Sequence, residues 1–155
     1  MLATDGSEEA TLAAATAADI ADKTASALHV VYAEPIPVYG GLPSGRFEFN
    51  EAAENEVRNR AQRFLDEQVK QIEAGRATVA QAHLRMGRAD QEVVALAEEL
   101  GAGLVVMGSR GLGGLRRLLM GSVSDSVIRH AHCPVLGVRK EEPQEEARPD
   151  EVGLV

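Results

Sequence analysis

The fold of this chain is decided by residues 105–123, which read VVMGSRGLGGLRRLLMGSV. An apolar run leads into a glycine-rich loop, and Gly121-Ser122 then opens a second apolar run. A glycine-rich turn between a strand and a helix lets the backbone come close to a ligand. The N-terminus of the helix behind it offers unpaired N–H groups and a partial positive charge. This combination is typical of phosphate binding.

Strand and helix patterns alternate along the rest of the chain. We predict strands over 1–4, 28–33, 78–86, 104–107 and 135–138, and helices over 8–23, 51–74, 91–100 and 122–130. The order βαβαβαβαβ predicts an α/β fold, with a parallel sheet, right-handed crossovers and helices on both faces. Ligands of such sheets bind beyond the carboxyl ends of the strands, where the strand order reverses. Residues 4–7 and the glycine-rich loop are the two candidates for that position.

The spacing of the first helix also predicts which of its sides faces the sheet. Leu12, Ala15, Thr16 and Ile20 recur at helical spacing, so we expect these four side chains to point inward. Ser7 precedes this helix and is expected to cap it, with Glu8 and Glu9 in the first turn, where carboxylates suit the helix dipole.

Length and charge indicate one domain with an acidic tail. The chain has 155 residues and a formal charge of −8. Residues 141–155 hold six acids and one base, so −5 lies in this tail and −3 in residues 1–140. We therefore expect a domain over 1–140 and a disordered tail over 141–155. We expect no nucleic-acid surface, because binding phosphates along DNA or RNA requires a clustered basic face.

Cysteine and histidine content gives no sign of a metal or redox centre. Cys133 is the single cysteine, so no internal disulfide forms and a reducing cytoplasm is expected. Its place before a proline at a strand entry favours packing over nucleophilic chemistry. His29 lies inside a strand and is interpreted as a satisfied core residue. No secretory leader and no apolar run of about 18 residues occurs, so we expect no membrane association.

The glycine spacing Gly108-x2-Gly111-x9-Gly121-Ser122 resembles the nucleotide motif of the universal stress protein family, G-x2-G-x9-G-[ST]. Four further stretches resemble that family in the same order: 4–7 (TDGS), 28–33 (LHVVYA), the turn at Gly87, and 132–136 (HCPVL). The resemblance covers about residues 1–140. It implies a five-stranded Rossmann-like sheet in the order 3-2-1-4-5, similar to that of the adenine nucleotide alpha hydrolases. It also implies a homodimer and, because the motif is intact, an ATP ligand.

The resemblance also implies roles for individual residues. Asp5 would bond the ribose or adenine side of the nucleotide, the backbone of Ala33 would face the adenine, and Met107 and Gly108 would border the ribose. The residues expected around the phosphates are Gly111, Gly121, Ser122 and Val123, and Thr4 and Ser124 complete the candidate set. Ser122 is expected at the N-cap position of its helix. Arg110, Arg116 and Arg117 are either phosphate contacts or solvated loop residues.

Two function classes remain open at this stage. The first is a dimeric, ATP-binding regulatory module of the stress response, with ADP, AMP and Mg²⁺ as further candidate ligands. The second is a slow ATPase or adenylyl-transferring enzyme on the same fold. The chain lacks a P-loop lysine motif, a G-x-G-x-x-G fingerprint and a G-x-S-x-G elbow, which favours binding without efficient turnover. The last strand, 135–138, is expected at the sheet edge and is the predicted dimer contact.

Overall fold

The computed structural model describes residues 1–36, 51–75, 77–111 and 120–140. Strands and helices alternate in these ranges as predicted. The elements are β1 (Leu2–Ala3), α1 (Glu8–Thr24), β2 (Leu28–Glu34), α2 (Glu51–Ala74), β3 (Val79–Met86), α3 (Ala89–Glu99), β4 (Val105–Gly108), α4 (Ser122–His130) and β5 (Val135–Val138). The predicted bounds of α2, α4 and β5 are confirmed. Residues 37–50, the centre of the glycine-rich loop with Arg116 and Arg117, and the acidic tail lie outside the described residues.

The five strands form one parallel sheet in the order β3-β2-β1-β4-β5, which confirms the predicted topology. β1 is the central strand although its ladder has only two residues: Leu2 pairs with Val30 on one side and with Val106 on the other. β3 and β5 are the edge strands of this sheet. The switch in strand order therefore falls between β1 and β4, beside the first residues of the glycine-rich loop.

Successive strand residues point to opposite faces, and this divides the core into two layers. One layer joins the sheet to α3 and α4 and contains Ala3, Val31, Val93, Leu96, Ala97, Val105, Met107 and Val127. The other joins the sheet to α1 and α2 and contains Leu2, Ala13, Ala17, Leu28, Val30, Leu65 and Val106. Helices thus cover both faces, as expected for a parallel sheet.

The prediction for the inner face of α1 is wrong. The buried positions are Glu9, Ala10, Ala13 and Ala17, whereas Leu12 is 42% exposed. The physical reason is the close approach of α1 to the sheet, which leaves room for alanine side chains but not for leucine. The prediction took large apolar residues as the mark of the buried face. Leu12 and Ile20 therefore placed that face on the neighbouring side of the helix.

Candidate functional site

A cavity of about 570 Å³ opens at the carboxyl ends of β1 and β4, where the strand order reverses. The ten residues predicted above for the nucleotide site all line it: Thr4, Asp5, Ala33, Met107, Gly108, Gly111, Gly121, Ser122, Val123 and Ser124. These residues come from the ends of three strands and from the start of α4. The fold therefore brings the predicted residues together in one place. Their roles in binding a nucleotide stay predictions.

The start of α4 forms one wall of this cavity. The N-cap is Gly121, with φ −74° and ψ 155°, and no side chain caps the helix. Ser122 is the first helical residue, so its predicted place at the N-cap is wrong by one position. The first-turn N–H groups of a helix have no intrahelical acceptor, and this end carries the positive pole of the dipole. Because no described side chain makes a capping hydrogen bond there, this end of α4 is suited to binding an anion.

Ser124 supports the loop as well as lining the cavity. Its buried hydroxyl donates to the carbonyl of Ser109 at 2.8 Å, and the carbonyl of Gly108 lies 3.3 Å away. The N–H of Gly121 donates to the same Ser109 carbonyl at 2.8 Å. These bonds tie the end of β4 to the start of α4. The Ser124 side chain therefore has a structural partner, which makes it a weaker ligand candidate than Ser122.

The turn after β1 is held by its own side chains. Asp5 Oδ1 accepts from the N–H of Ser7 at 3.0 Å, and Ser7 Oγ accepts from the N–H of Ala10 at 3.2 Å, which confirms Ser7 as the cap of α1. Thr4 Oγ1 accepts from the N–H of Gly6 at 3.2 Å and donates to Gln68 Oε1 on α2 at 3.3 Å. Asp5 is thus held at the cavity edge by a turn that begins in the central strand.

Two of the motif glycines lie in close contact with other parts of the protein. A Cβ on Gly108 would lie 3.0 Å from Glu9 Cβ and 3.1 Å from the backbone N of Ala10, so glycine lets α1 approach β4. A Cβ on Gly111 would lie 2.5 Å from Asp5 Oδ2. Gly121 differs, because its nearest described neighbours would lie 3.4 Å or more from an added Cβ. Contacts among the described atoms therefore do not require glycine at position 121.

Glu9 is a lining residue of the cavity that the sequence did not single out for the site. Its side chain is buried in the first turn of α1, where Oε2 accepts from Ser109 Oγ at 2.9 Å and from the N–H of Arg110 at 2.7 Å. Its Oε1 lies 3.2 Å from Arg110 Nε. Arg110 therefore forms an ion pair with α1, in addition to lining the cavity. No local signal in the sequence links Glu9 to partners about 100 positions away.

Tyr32 is a second lining residue that the sequence did not single out. Its ring packs against Phe64 of α2 at a centroid distance of 4.6 Å, and its hydroxyl donates to Glu34 Oε2 at 2.5 Å. Burial, together with this bond to a carboxylate, raises the pKa of Tyr32 to about 12. Tyr32 is therefore a neutral phenol at physiological pH. Val31, Ala89, Val93 and Met120 add further apolar surface to the lining.

The charged groups of the lining are mostly acidic. Asp5, Glu8, Glu9 and Arg110 line the cavity, while the described part of the chain contributes no lysine, histidine or cysteine to it. Glu8 pairs with Lys140 just beyond β5, at 2.7 Å between Oε2 and Nζ, and this hydrogen bond lowers the pKa of Glu8. The cavity thus combines the N–H groups of the first turn of α4 with an apolar wall. The described lining residues include no nucleophile–base pair.

The described residues hold neither a cluster of metal-binding side chains nor a helix able to span a membrane. They contain no group of three or more histidine, cysteine, aspartate or glutamate side chains placed to hold a metal ion. None of the helices in the four described ranges combines the length and apolarity that spanning a bilayer requires.

Comparison with known proteins matches residues 1–139 to the model of the Universal stress protein family. A universal stress protein of Thermus aquaticus is 39% identical over 140 residues, covering 90% of this chain and 96% of its own length. A universal stress protein crystallised in complex with cAMP has a TM-score of 0.68 at 25% identity, covering 90% of this chain and 95% of its own. The family member from Archaeoglobus fulgidus in complex with dAMP has a TM-score of 0.59 at 25% identity, covering 88% and 94%. This chain belongs to the universal stress protein family.

Proposed function

We propose that this chain binds an adenine nucleotide in the cavity between β1 and β4 and acts as a regulatory module in a stress response. The observation that carries the proposal is the meeting of Asp5, Ala33 and the uncapped N-terminus of α4 around one cavity. Its volume of about 570 Å³ lies within the range of about 300–1,000 Å³ typical of small-molecule sites. Two relatives of the same fold were solved with cAMP and with dAMP.

Each part of the proposed site takes one part of the nucleotide. The phosphates lie at the first turn of α4, where the N–H groups of Ser122 and Val123 donate to their oxygens. The ribose lies between Asp5 and the end of β4 at Met107 and Gly108. The base lies against the backbone of Ala33 and the apolar wall.

ATP is the proposed ligand, and ADP and AMP are the alternatives. The lining includes the carboxylates of Asp5, Glu8 and Glu9 and one described cation, Arg110, which pairs with Glu9. A triphosphate adds further negative charge, so we propose that ATP binds together with Mg²⁺, which coordinates phosphate oxygens. Titration with ATP in the presence of Mg²⁺ and of EDTA tests this point, and equal affinities contradict it.

Calorimetric titration of ATP, ADP, AMP and cAMP into the chain and into Gly121→Val tests the site. We expect the valine side chain at the N-cap of α4 to crowd the proposed phosphate position and so to abolish binding. The fold is expected to be kept, because an added Cβ at position 121 lies 3.4 Å or more from its nearest described neighbours. Gly103→Val is the matched control, because no described atom lies within 4 Å of an added Cβ there. Unchanged affinity in Gly121→Val, with circular dichroism like that of the parent chain, overturns the assignment.

The second candidate function is slow ATP hydrolysis or adenylyl transfer at the same cavity. We favour binding, since no lysine or histidine and no nucleophile–base pair occurs among the described lining residues. Release of phosphate, for hydrolysis, or of pyrophosphate, for adenylyl transfer, by the purified protein in ATP and Mg²⁺ distinguishes binding from catalysis. Turnover faster than about 1 s⁻¹, within the range of ordinary enzymes, favours the enzyme.

We propose further that the module is a homodimer joined through β5. β5 is an edge strand with Leu136 37% exposed, and α1, which packs beside β5, leaves Leu12 exposed as well. Apolar side chains at an unpaired strand edge favour association with another strand. No nucleic acid or membrane partner is proposed.

A further inference from the structure

Two histidines from neighbouring strands face each other on one side of the sheet, away from the nucleotide cavity. His29 Nδ1 of β2 and His83 Nε2 of β3 are 3.0 Å apart, which is a hydrogen-bond distance. The ring centroids are 5.3 Å apart, so the imidazoles lie end to end with these two nitrogens pointing at each other. The strand register explains the meeting, because His29 pairs with Gln81 and His83 lies two residues further along β3, on the same face.

Protons from the solvent can reach this pair. Both residues are half-buried, on the edge strand β3 and on its neighbour β2. The prediction that His29 is a core residue is therefore wrong, although its imidazole does have a hydrogen-bond partner. Among the described residues, the charged groups that act on His83 besides His29 are Arg85, on the same face of β3, and Glu99 of α3. These two form an ion pair, so the carboxylate near the imidazoles is already neutralised by a guanidinium.

The hydrogen bond between the rings tolerates one added proton but not two. In the neutral pair, one facing nitrogen carries a hydrogen and donates it to the lone pair of the other. A first added proton binds the far nitrogen of the donor ring, and the hydrogen bond then becomes charge-assisted. A second added proton must bind the accepting nitrogen itself. Both facing nitrogens then carry hydrogens, the bond is lost, and two cationic rings remain in contact.

We propose that the His29–His83 pair is an acid-sensitive link between β2 and the edge strand β3, which holds while the facing nitrogens share one hydrogen and breaks when each carries its own. Burial, and after it the charges of His29 and Arg85, lowers the pKa of His83 from its ordinary value, which agrees with the exclusion of a second proton. The link is independent of the proposed nucleotide function, since neither histidine lines the cavity.

The link stabilises the folded protein only above a certain pH. The imidazoles of the unfolded chain ionise near pH 6.5, because nothing there excludes the second proton. The pKa of His83 in the folded protein is lower, so this contribution to stability is complete above about pH 6.5 and is lost as the pH falls through the folded pKa. In the sheet, β3 pairs with β2 alone, so we expect acid to open this edge before the rest of the sheet.

The small number of histidines in this chain allows a direct test. There are four in total, and the double variant H130Q/H132Q removes the two exposed ones. In this background, nitrogen-15 NMR spectra of His29 and His83 are expected to show two titration steps at least about one pH unit apart, as for strongly interacting sites. Two imidazoles that titrate together, with the same midpoint, overturn the proposal.

Hydrogen exchange and thermal unfolding of the same background test the effect on the sheet. Between about pH 7.5 and 5, we expect the melting temperature to fall and exchange of the amides of 79–86, corrected for the intrinsic rate, to speed up roughly tenfold, more than that of 105–108. Uniform protection at both pH values contradicts the opening of this edge.

Adding His83→Gln to the background is the matched control. Glutamine can donate a hydrogen bond to His29 or accept one from it, so this variant keeps the link in both protonation states of the remaining imidazole. We expect it to lose most of the pH dependence of melting and of exchange in 79–86. Circular dichroism checks that it is folded. A folded variant with the pH dependence of the background contradicts the proposal. If it does not fold, the NMR titration of the double variant decides.

Discussion

The carboxylate of Glu9, in the first turn of α1, accepts a 2.7 Å hydrogen bond from the backbone N–H of Arg110, the second residue after β4. The same carboxylate binds the Ser109 hydroxyl and the Arg110 guanidinium. A buried carboxylate with three partners costs little, because hydrogen bonds and an opposite charge replace the lost water. Glu9 thereby fixes the point where the glycine-rich loop leaves the sheet, about 100 residues away in sequence.

Replacing Glu9 with glutamine is therefore expected to destabilise the protein and weaken nucleotide binding. The amide keeps the volume but loses the charge opposite Arg110, and one of its two groups cannot accept a hydrogen bond. We expect the free energy of unfolding to fall by roughly 2 kcal/mol, since bonds to charged groups contribute about 1.5–3 kcal/mol. Urea denaturation measures the change. Glu8→Gln, at the exposed neighbouring position, is the control and is expected to stay within about 0.5 kcal/mol of the parent. Equal stabilities of the two variants contradict this role of Glu9.

Gly111→Ala separates nucleotide affinity from stability. The new methyl group would lie 2.5 Å from Asp5 Oδ2, so it pushes this carboxylate out of its present position at the cavity edge. We expect at least a tenfold loss of AMP and ATP affinity by calorimetry, with a melting temperature within a few degrees of the parent. Gly103→Ala adds the same methyl group in open space and is expected to change neither quantity. Full affinity in a folded Gly111→Ala protein rules out a role for Asp5 in its present position.

Leu136→Lys tests the proposed dimer at its edge strand. Leu136 is 37% exposed, whereas Val135 and Val138 pack against the two core layers, so a charge at Leu136 disturbs pairing more than folding. We expect a halved mass by light scattering with unchanged circular dichroism. Ile128→Lys places the same charge on α4, where Ile128 is also exposed, and is expected to leave the mass unchanged. A Leu136→Lys protein of unaltered mass excludes β5 as the dimer contact.

The raised pKa of Tyr32 predicts that the protein loses stability at alkaline pH. Its pKa is about 12 in the folded protein, against about 10 for an unperturbed tyrosine. The folded pKa is raised, so this contribution to stability is complete below about pH 10 and is lost between about pH 10 and 12. Tyr39→Phe leaves Tyr32 as the only tyrosine, so absorbance at alkaline pH follows its ionisation directly. An ordinary midpoint near pH 10 in folded protein contradicts the bond to Glu34.

Most of the fold could be predicted from the sequence, because the spacing of apolar residues within short segments indicates the strands and helices. The short apolar run 135–138 indicates a strand. The apolar residues at helical spacing over 51–74 indicate a helix with one buried face. The same local logic failed for α1, where the packed side is a stripe of alanines. How closely a helix approaches a sheet depends on the side chains of both elements. The sequence of the helix alone therefore does not determine which of its residues are buried.

The candidate site was predictable where a glycine motif marks it, and not where side chains distant in sequence meet. Glycine spacing identified positions 108, 111 and 121, because few residues other than glycine tolerate such close approach. Nothing in the sequence indicated that Glu9 binds Arg110, or that His29 meets His83. Those contacts depend on which strands become neighbours and on the register between them.

By itself, then, the sequence determined the order of strands and helices, the glycine-rich loop and the members of the candidate site. The order of elements and the loop follow from interactions between residues that are near in sequence and from the steric freedom of glycine. The members of the candidate site came from the resemblance to the universal stress protein family. The tertiary structure alone decided that Glu9 is bound to the loop, that Gly111 faces Asp5, and that two histidines lie 3.0 Å apart. These pairings arise because a parallel sheet in the order β3-β2-β1-β4-β5 brings distant segments to fixed positions along shared edges and faces.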